Sequence, residues 1–251
     1  MSLYALALKE AEIETLAAAA FLTVVKGFTR EAARAFLRSQ PGFLGRNLQL
    51  EAARALAAEA GQAGFATMLV AETDILPPPH ALEPDLIEPK GNGFYARADG
   101  APTFIPYDSI RIFSAAAFDA PSPPAGIQEL KPGLFEKIAI LAGAPPPPVP
   151  AAAPKETFFR ADIIGGEGPL RLLLKPEALD FSPLGPARAP SSLANFRTLL
   201  DVVSAPAFKA VKNRFLRAFL AGQPLTALKV ASAEAADAEL SRLLLLARRP
   251  E

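Results

Sequence analysis

The spacing of apolar and polar residues predicts that the first third of the chain is mainly helical. The opening letters LYALAL alternate as a β-strand does. The stretch EAEIETLAAAAFLTVVKG follows with a helical period, which puts Ile13, Leu16, Ala20 and Val24 on one apolar face. Gly27 is a typical helix stop. The pattern therefore predicts a strand and then a helix.

A second helix is predicted over REAARAFLRSQ, because Thr29 in front of it is a suitable N-cap. Its apolar residues Phe36 and Leu37 are expected to face inward. Its basic residues recur every four positions and are expected to line the outside: Arg30, Arg34 and Arg38.

The remainder of this segment predicts an extended piece over FLGRNL, a third helix over LEAARALAAEAGQAG and a strand over FATMLVAE. The word EAARA occurs twice, at 31–35 and 51–55, but the flanks differ and no third copy exists. Repeat arrays generally need three or more units. We therefore interpret residues 3–72 as one small β-α-α-β-α-β domain.

Part of this segment can be aligned with a known fold without a gap, from Gly27 to Val70. The matching residues are Gly27, Ala33, Arg34, Ser39, Pro41, Leu44, Ala53, Ala55, Leu56, Ala63 and Gly64. In this register the segment resembles the C-terminal domain of the bacterial ribosomal stalk protein, whose fold the Clp-protease adaptor shares. The stalk domain meets translation factors through basic residues on its first helix, where this chain has Thr15, Ala20 and Thr23. The resemblance implies a shared scaffold and not a ribosomal role.

A proline-rich stretch, ETDILPPPHALEPD, follows and predicts a stiff linker over residues 73–83. The single histidine of the chain, His80, lies in it. Beside three prolines, this histidine is expected to be a solvated linker residue and neither a catalytic base nor a metal ligand.

Residues 84–203 predict mostly β-strands. Asp99-Gly100 separates two apolar runs, GFYARA and TFIPYDSIRIF, which is a strong hairpin signal. Further extended pieces are predicted over LFEKIAIL, TFFRADII, PLRLLLKP and ALDFSPL. A helix capped by Ser191 or Ser192 then closes the segment with one apolar stripe: Leu193, Phe196, Leu199, Leu200 and Val203.

This order of strands and one closing helix resembles the PH-like barrel, and IPYDSIRIF is similar to the I-P-Y-x-x-I stretch of bacterial PH-like domains. Together the two resemblances imply a bacterial protein of the α+β class. Within the segment, GAPPPPVPAAAP (143–154) is either a polyproline ligand for an SH3- or WW-type partner or a loop between two strands, and a loop is expected.

The last segment, 204–249, predicts two helices. In PAFKAVKNRFLRAFLAG one face carries the apolar residues Phe208, Val211, Phe215 and Phe219. The other carries our candidate interaction residues: Lys209, Lys212, Arg214 and Arg217. The second helix is apolar around much of its circumference at 243–246, so it must be covered. Docking on the barrel and a homodimer through the C-terminal helices are the alternatives.

Charge and composition narrow the classes of partner. The 26 Lys and Arg balance the 26 Asp and Glu, so no nucleic-acid partner is expected. No stretch approaches the ~18–20 uncharged apolar residues of a membrane span. Lys9 and Glu10 fall where the apolar core of a secretory signal would run, and we expect a cytoplasmic protein.

The sequence offers no clear catalytic chemistry. It has no cysteine and one histidine, which leaves few routes to a metal site. The glycine-rich IIGGEGPL is followed by a second apolar strand instead of the helix that a phosphate cradle needs, so it predicts a hairpin turn. Two carboxylate pairs are expected to be ordinary strand and turn residues: Asp162 with Glu167, and Asp108 with Asp119. No catalytic, metal or cofactor residue is predicted.

We therefore expect a non-enzymatic interaction or scaffold protein that binds protein partners, of unknown identity, through its two modules. One alternative is peripheral binding to an anionic membrane surface through the basic C-terminal helix. A second alternative is an enzyme with a carboxylate site that carries no sequence motif.

Overall fold

The computed structural model describes residues 2–11, 15–121, 155–165 and 170–248 and shows an α+β fold with helices and largely antiparallel sheets. Residues 1–118 and 159–251 form one compact unit, and residues 119–158 form a second. The predicted strand LFEKIAIL and the proline-rich 143–154 lie outside the described residues.

The first segment has the predicted element order. It consists of β1 (Tyr4–Leu8), α1 (Thr15–Lys26), α2 (Arg30–Ser39), β2 (Phe43–Leu48), α3 (Leu50–Gln62) and β3 (Thr67–Ala71). The strands form one antiparallel sheet in the order β2-β1-β3, so the first strand is central. Leu6 and Leu8 of β1 pack against the helices, while Ala5 and Ala7 face the other side of the sheet with Phe43.

The predicted apolar face of α1 is not the face that the helix buries. Leu16, Ala20 and Val24 are exposed, and Ile13 lies outside the described residues. The buried residues are on another side: Ala18, Ala19, Phe21 and Leu22. Because TLAAAAFLTVVK is apolar on nearly every side, its period alone does not select the packed face.

The second helix forms as predicted. The hydroxyl of Thr29 accepts a hydrogen bond from the backbone N–H of Ala32 at 3.1 Å. Leu37 is buried and Phe36 is half-buried, and the three arginines lie outside.

The strands beyond β3 form two further sheets. They are β4 (Ala81–Leu82), β5 (Leu86–Pro89), β6 (Gly93–Ala98), β7 (Ala101–Pro106), β8 (Ile110–Pro121), β9 (Lys155–Gly165), β10 (Leu170–Leu174) and β11 (Val211–Lys212). One sheet has the order β11-β8-β9-β10-β4 and the other the order β5-β6-β7. The first of these strands lies inside the predicted linker and pairs in parallel with β10. The PH-like assignment and the division at 3–72, 73–83, 84–203 and 204–249 stay predictions.

One turn prediction is confirmed. Asp99 and Gly100 join β6 to β7, and both have positive φ, 52° and 81°, as the tight hairpin turn requires. The glycine-rich turn predicted between β9 and β10 falls on 166–169, outside the described residues. The two strands themselves pair antiparallel, with Gly165 opposite Leu170.

Three helices complete the larger core: α4 (Ser192–Ser204), α5 (Arg214–Leu220) and α6 (Ala233–Ala247). Ser191 caps α4, and its predicted stripe is buried except for the half-buried Leu193. Phe159 of β9 contacts Phe196 of α4 and Phe219 of α5, with ring centroids 5.8 and 4.3 Å apart. Aromatic packing thus joins sheet and helices at the centre of this core.

The helix predicted over 206–222 is much shorter in the structure, because Asn213 follows β11 directly and is the N-cap of α5. Its side-chain oxygen accepts from the backbone N–H of Leu216 at 2.9 Å and of Ala115 at 3.1 Å. Its amide donates to the backbone oxygen of Ala115 at 3.0 Å. Phe208 consequently lies in a turn and is 79 % exposed, which corrects the predicted apolar face.

Helix α6 packs within this chain through its apolar side. Leu243 and Leu244 are buried in a cluster with Ile112 of β8 and Ile164 of β9. The covering that the sequence demands at 243–246 is thus supplied at least in part by the chain's own sheet.

Arg242 of α6 is fully buried and connects this helix to the first segment. It donates to the backbone oxygens of Leu8 and Glu10 at 2.9 Å each, and to both carboxylate oxygens of Glu239, also at 2.9 Å. Gly42 makes room for it, since a Cβ there would lie 1.9 Å from Arg242 Nε. The φ of Gly42 is +78°, which also favours glycine.

A second buried charge cluster holds α6 against the sheet. Asp162 of β9 lies 3.1 Å from Arg160 and 2.7 Å from Arg171, and Asp237 of α6 lies 2.6 and 2.8 Å from the same two arginines. Burial raises the pKa of Asp162, and the two guanidiniums oppose that rise. Two acids thus balance two bases where β9, β10 and α6 meet.

We predict that Arg242→Met destabilises the protein by about 3–5 kcal/mol, because Glu239 would stay buried without its partner. Adding Glu239→Leu should recover part of this loss, so the two effects should be clearly non-additive. Urea unfolding of both single variants and the double variant measures the coupling. Arg54→Met, at a guanidinium that is 62 % exposed, is the control and should change stability by less than about 0.5 kcal/mol. Additive effects of the two substitutions in this double-mutant cycle would contradict an energetic coupling between Arg242 and Glu239.

A pH-dependent prediction concerns Glu72, which follows β3. It accepts from Arg46 Nη2 at 2.7 Å and from the backbone N–H of Asn47 at 2.6 Å. Burial acts to raise the pKa of Glu72, but these hydrogen bonds and the charge of Arg46 outweigh it, so the pKa lies below its ordinary 4.5.

A carboxylate whose folded pKa is depressed stabilises the fold above its unfolded pKa, and this contribution is lost as the pH falls through the folded pKa. Glu72→Gln should therefore lower the unfolding free energy by about 1–2 kcal/mol at pH 7. The difference should shrink as the pH falls below 4.5. Denaturant titrations from pH 7 to pH 3 test this. Glu51→Gln, at a side chain that is 83 % exposed, is the control and should change the unfolding free energy by less than about 0.5 kcal/mol at pH 7. A stability loss for Glu72→Gln that stays constant from pH 7 to pH 3 would contradict the prediction.

Candidate functional site

A basic cleft of about 560 Å³ lies where α1 and α2 meet the segment that includes α5. Its lining comes from three distant parts of the sequence: Thr15, Leu16, Arg30, Glu31, Arg34, Arg38, Arg214 and Lys229. Five of these residues are cationic and one is anionic. Since the whole chain has a formal net charge of zero, the positive charge is a local property of this surface.

Helix α2 supplies a row of three of these cations. Arg30, Arg34 and Arg38 are exposed and recur every fourth residue, so the row is about 12 Å long at 1.5 Å per residue. Within the described ranges, none of the three guanidiniums forms an ion pair. Like charges at this spacing destabilise a helix. The row is therefore available to an external anion.

Arg214 lies at the boundary between the two walls of the cleft. Its guanidinium hydrogen-bonds the hydroxyl of Thr15 and lies 4.8 Å from the ring centroid of Phe215. Burial lowers the pKa of Arg214, and the negative charge of Glu239 acts in the opposite direction. This guanidinium is therefore half-buried and held in position by packing. Lys229 enters from the second wall, between the buried Leu228 and Val230.

The structure does not bring the four candidate interaction residues together. Lys209 is exposed in the turn beside Phe208, and Arg217 is exposed on α5. Lys212 donates to the backbone oxygen of Ser204 at 2.5 Å, and burial, with a smaller effect of Arg217, lowers its pKa. Of the four, Arg214 alone lines the cleft, because Asn213 breaks the helix that would have aligned them.

Sequence reasoning placed the α2 arginines on the surface but did not recognise them as a site. Their spacing was visible, and the helix has one acidic residue, Glu31, against three arginines. Nothing in the sequence indicates that Lys229 belongs to this cleft, because only the folded chain brings residue 229 near residues 30–38.

The acids that the sequence analysis gives as ordinary strand and turn residues have the following surroundings. Asp162 of β9 is enclosed by two arginines, and Glu167 lies outside the described residues. Asp108 is exposed. Asp119, in the smaller unit, accepts from the hydroxyl of Thr157 at 2.7 Å.

The described residues offer neither a metal cluster nor a membrane-spanning helix. No group of three or more metal-ligating side chains lies close enough together to hold an ion, and His80 is exposed. In the same residues, no helix has the length and apolar character needed to cross a membrane.

Comparisons with protein-family models, with curated proteins and with solved structures found no match. The resemblances to the stalk domain and to PH-like barrels thus stay expectations from the sequence, and the functional argument depends on the geometry of the cleft.

We predict that Arg34→Gln leaves the fold intact and stabilises it slightly, by up to about 0.5 kcal/mol in low salt. Arg34 is four residues from both Arg30 and Arg38, so its removal relieves two unfavourable contacts. The gain should fade above about 0.5 M salt as the charges are screened. Thermal unfolding at two salt concentrations measures it. A loss of more than about 0.5 kcal/mol would show that Arg34 has a structural role instead.

Proposed function

We propose that this protein is a non-enzymatic interaction protein that binds an acidic segment of a protein partner in the basic cleft. We place this activity in the cytoplasm. The observation that carries the proposal is the row of three arginines on α2, which form no ion pair in the described part of the chain and lie beside Arg214.

The chemistry of the cleft favours carboxylates as ligands. A guanidinium presents a planar set of donors that matches a carboxylate, and such charge-assisted hydrogen bonds are stronger than neutral ones. Several guanidiniums in a row suit several carboxylates on one chain better than a single small anion. The half-buried Arg214 supplies the most desolvated of these charges, where a bound carboxylate would be screened least.

A protein segment fits this surface better than a nucleic acid does. The positive row is only about 12 Å long, and the protein as a whole is neutral. The described lining contains no aromatic side chain on which a base could stack. It does contain Leu16, an apolar contact that a protein side chain can use.

The two walls of the cleft are held together by the buried charges of α6. Arg242 joins this helix to the end of β1, and Thr15 of α1 contacts Arg214 of α5. A ligand in the cleft would therefore meet a preorganised arrangement of charges, which reduces the entropy lost on binding. This arrangement supports a scaffold role in which the first segment and the C-terminal segment contribute to one surface.

Peripheral membrane binding is a second candidate, and the exposed Phe208 beside Lys209 favours it. Insertion of one phenylalanine contributes roughly 1.5–3 kcal/mol. A base near an anionic surface adds about 1 kcal/mol. With Lys212 tied to Ser204, these terms give weak attachment, so we rank this candidate second.

We predict that Arg34→Glu with Arg38→Glu weakens binding of a synthetic 20-residue peptide rich in Glu and Asp by at least tenfold. The reversal places two acids against the carboxylates of the peptide. Fluorescence anisotropy with the full chain at about 0.15 M salt measures the affinity. Binding by the natural sequence should weaken as salt is raised.

The matched control is Lys209→Glu with Arg217→Glu, which makes the same change of net charge at exposed residues outside the cleft. It should leave peptide affinity within about twofold. Equal losses in the two double variants would mean general charge attraction and would contradict a site in the cleft. Tighter binding of a single-stranded oligonucleotide than of the peptide would overturn the class of partner.

A further inference from the structure

We propose that the acidic partner segment binds as an amphipathic α-helix, with its apolar side on α1 and its acidic side on the arginines of α2. This inference rests on the proposed function and specifies the form of the ligand. It is carried by an exposed apolar row on α1 that lies next to the basic row.

The apolar row consists of Leu16, Ala20 and Val24. Leu16 is 66 % exposed and Val24 is 84 % exposed, and Ala20 between them is exposed as well. The row spans about 12 Å along the helix axis, which equals the length of the arginine row. The opposite side of α1 is already packed through Leu22 and Ala18, so the exposed row is additional to the core contacts.

The two rows meet at Leu16, on two helices that pack together. Leu16 lines the same cleft as Arg34 and Arg38. Helices α1 and α2 pack on each other and are joined by three residues, 27–29, with Gly27 at φ +64°. Such a short link makes an antiparallel helical hairpin. The start of α1, with Leu16, therefore lies toward the end of α2, with Arg38.

A helical ligand matches the spacing of this surface. Both rows advance by about 6 Å per step, which is the rise of four helical residues. A helix with apolar residues at i, i+4 and i+8 and acidic residues on the adjoining side can meet both rows at once. A β-strand ligand would need an open sheet edge for its backbone, and this surface is built from two helices.

The distribution of charge also predicts which end of the ligand carries more acidic residues. Arg214 and Lys229 add to the α2 arginines at the Leu16 end of the surface, whereas Val24 does not line the cleft. The acidic residues of the ligand should therefore be concentrated near the apolar residue that contacts Leu16. The residue that contacts Val24 needs fewer acidic neighbours.

Charge complementarity argues for a different protein as the occupant and against a second copy of this chain. In a two-fold symmetric dimer each surface faces an identical one. Such a pairing would bring the arginine rows of both subunits to one interface with only Glu31 of each cleft lining to balance them, which is unfavourable. A partner with acids beside its apolar residues has no such penalty.

The test compares two 18-residue synthetic peptides of the same leucine and glutamate composition. In the amphipathic peptide the leucines form one stripe along a helix, and in the other peptide the same residues are scrambled. We expect the amphipathic peptide to bind the full chain at least tenfold more tightly in fluorescence anisotropy at about 0.15 M salt. Its helical circular dichroism should increase on binding. The double variant Leu16→Ser with Val24→Ser should remove the difference between the peptides.

The matched control is Val202→Ser with Phe208→Ser, which removes two exposed apolar residues away from the cleft and should leave the preference intact. Far-ultraviolet circular dichroism checks that each variant is folded, and all four residues are exposed. Equal affinity of the two peptides, lost in Arg34→Glu with Arg38→Glu, would overturn the helix inference and leave the proposed function standing.

Three other outcomes count against the proposals. Failure of either peptide to bind would overturn both the helix inference and the proposed function. Self-association of the natural chain in light scattering that disappears in Leu16→Ser with Val24→Ser would show that a second copy occupies the surface. Loss of the peptide preference in the control variant would place the apolar contact elsewhere.

Discussion

The buried guanidinium of Arg242 is the constraint on which the arrangement of this protein depends most. An arginine removed from water is strongly unfavourable unless each of its donors finds an acceptor. Glu239 and the backbone oxygens at the end of β1 supply them, and Gly42 leaves the necessary space. Because the bonds to Leu8 and Glu10 join α6 to the first segment, Arg242 determines where that helix packs against it.

The consequences extend along α6 in both directions. With Arg242 in place, Leu243 and Leu244 meet Ile112 and Ile164. Two residues before Glu239, Asp237 reaches the arginines of β9 and β10. One orientation of α6 thus makes three sets of contacts. Arg242 bonds the backbone oxygens, the leucines pack on the apolar sheet, and Asp237 joins the ion cluster. A shift of α6 by one residue would misplace all three, which is how consistent local choices specify a single structure.

Local signals predicted much of the fold. Thr29 and Ser191 cap their helices as expected, and Asp99-Gly100 forms the expected hairpin turn. The orientation of α1 was not predictable, because nearly all of its sides are apolar. The break at Asn213 was also hidden, since its side chain bonds Ala115, almost a hundred residues earlier in the chain. The sequence around Arg242, which directly precedes four leucines, did not indicate that this arginine is buried.

The candidate site likewise contains residues that the sequence could indicate and others that it could not. The α2 row could be read from sequence, whereas Arg214 and Lys229 join it only through tertiary structure. Two features of this surface are unfavourable for an isolated protein: like charges at helical spacing, and exposed Leu16 and Val24. Natural sequences depart from the rules of a stable surface chiefly where function requires it. That two independent departures adjoin on one helical hairpin, beside a half-buried arginine, is the strongest physical reason to place the proposed binding activity there.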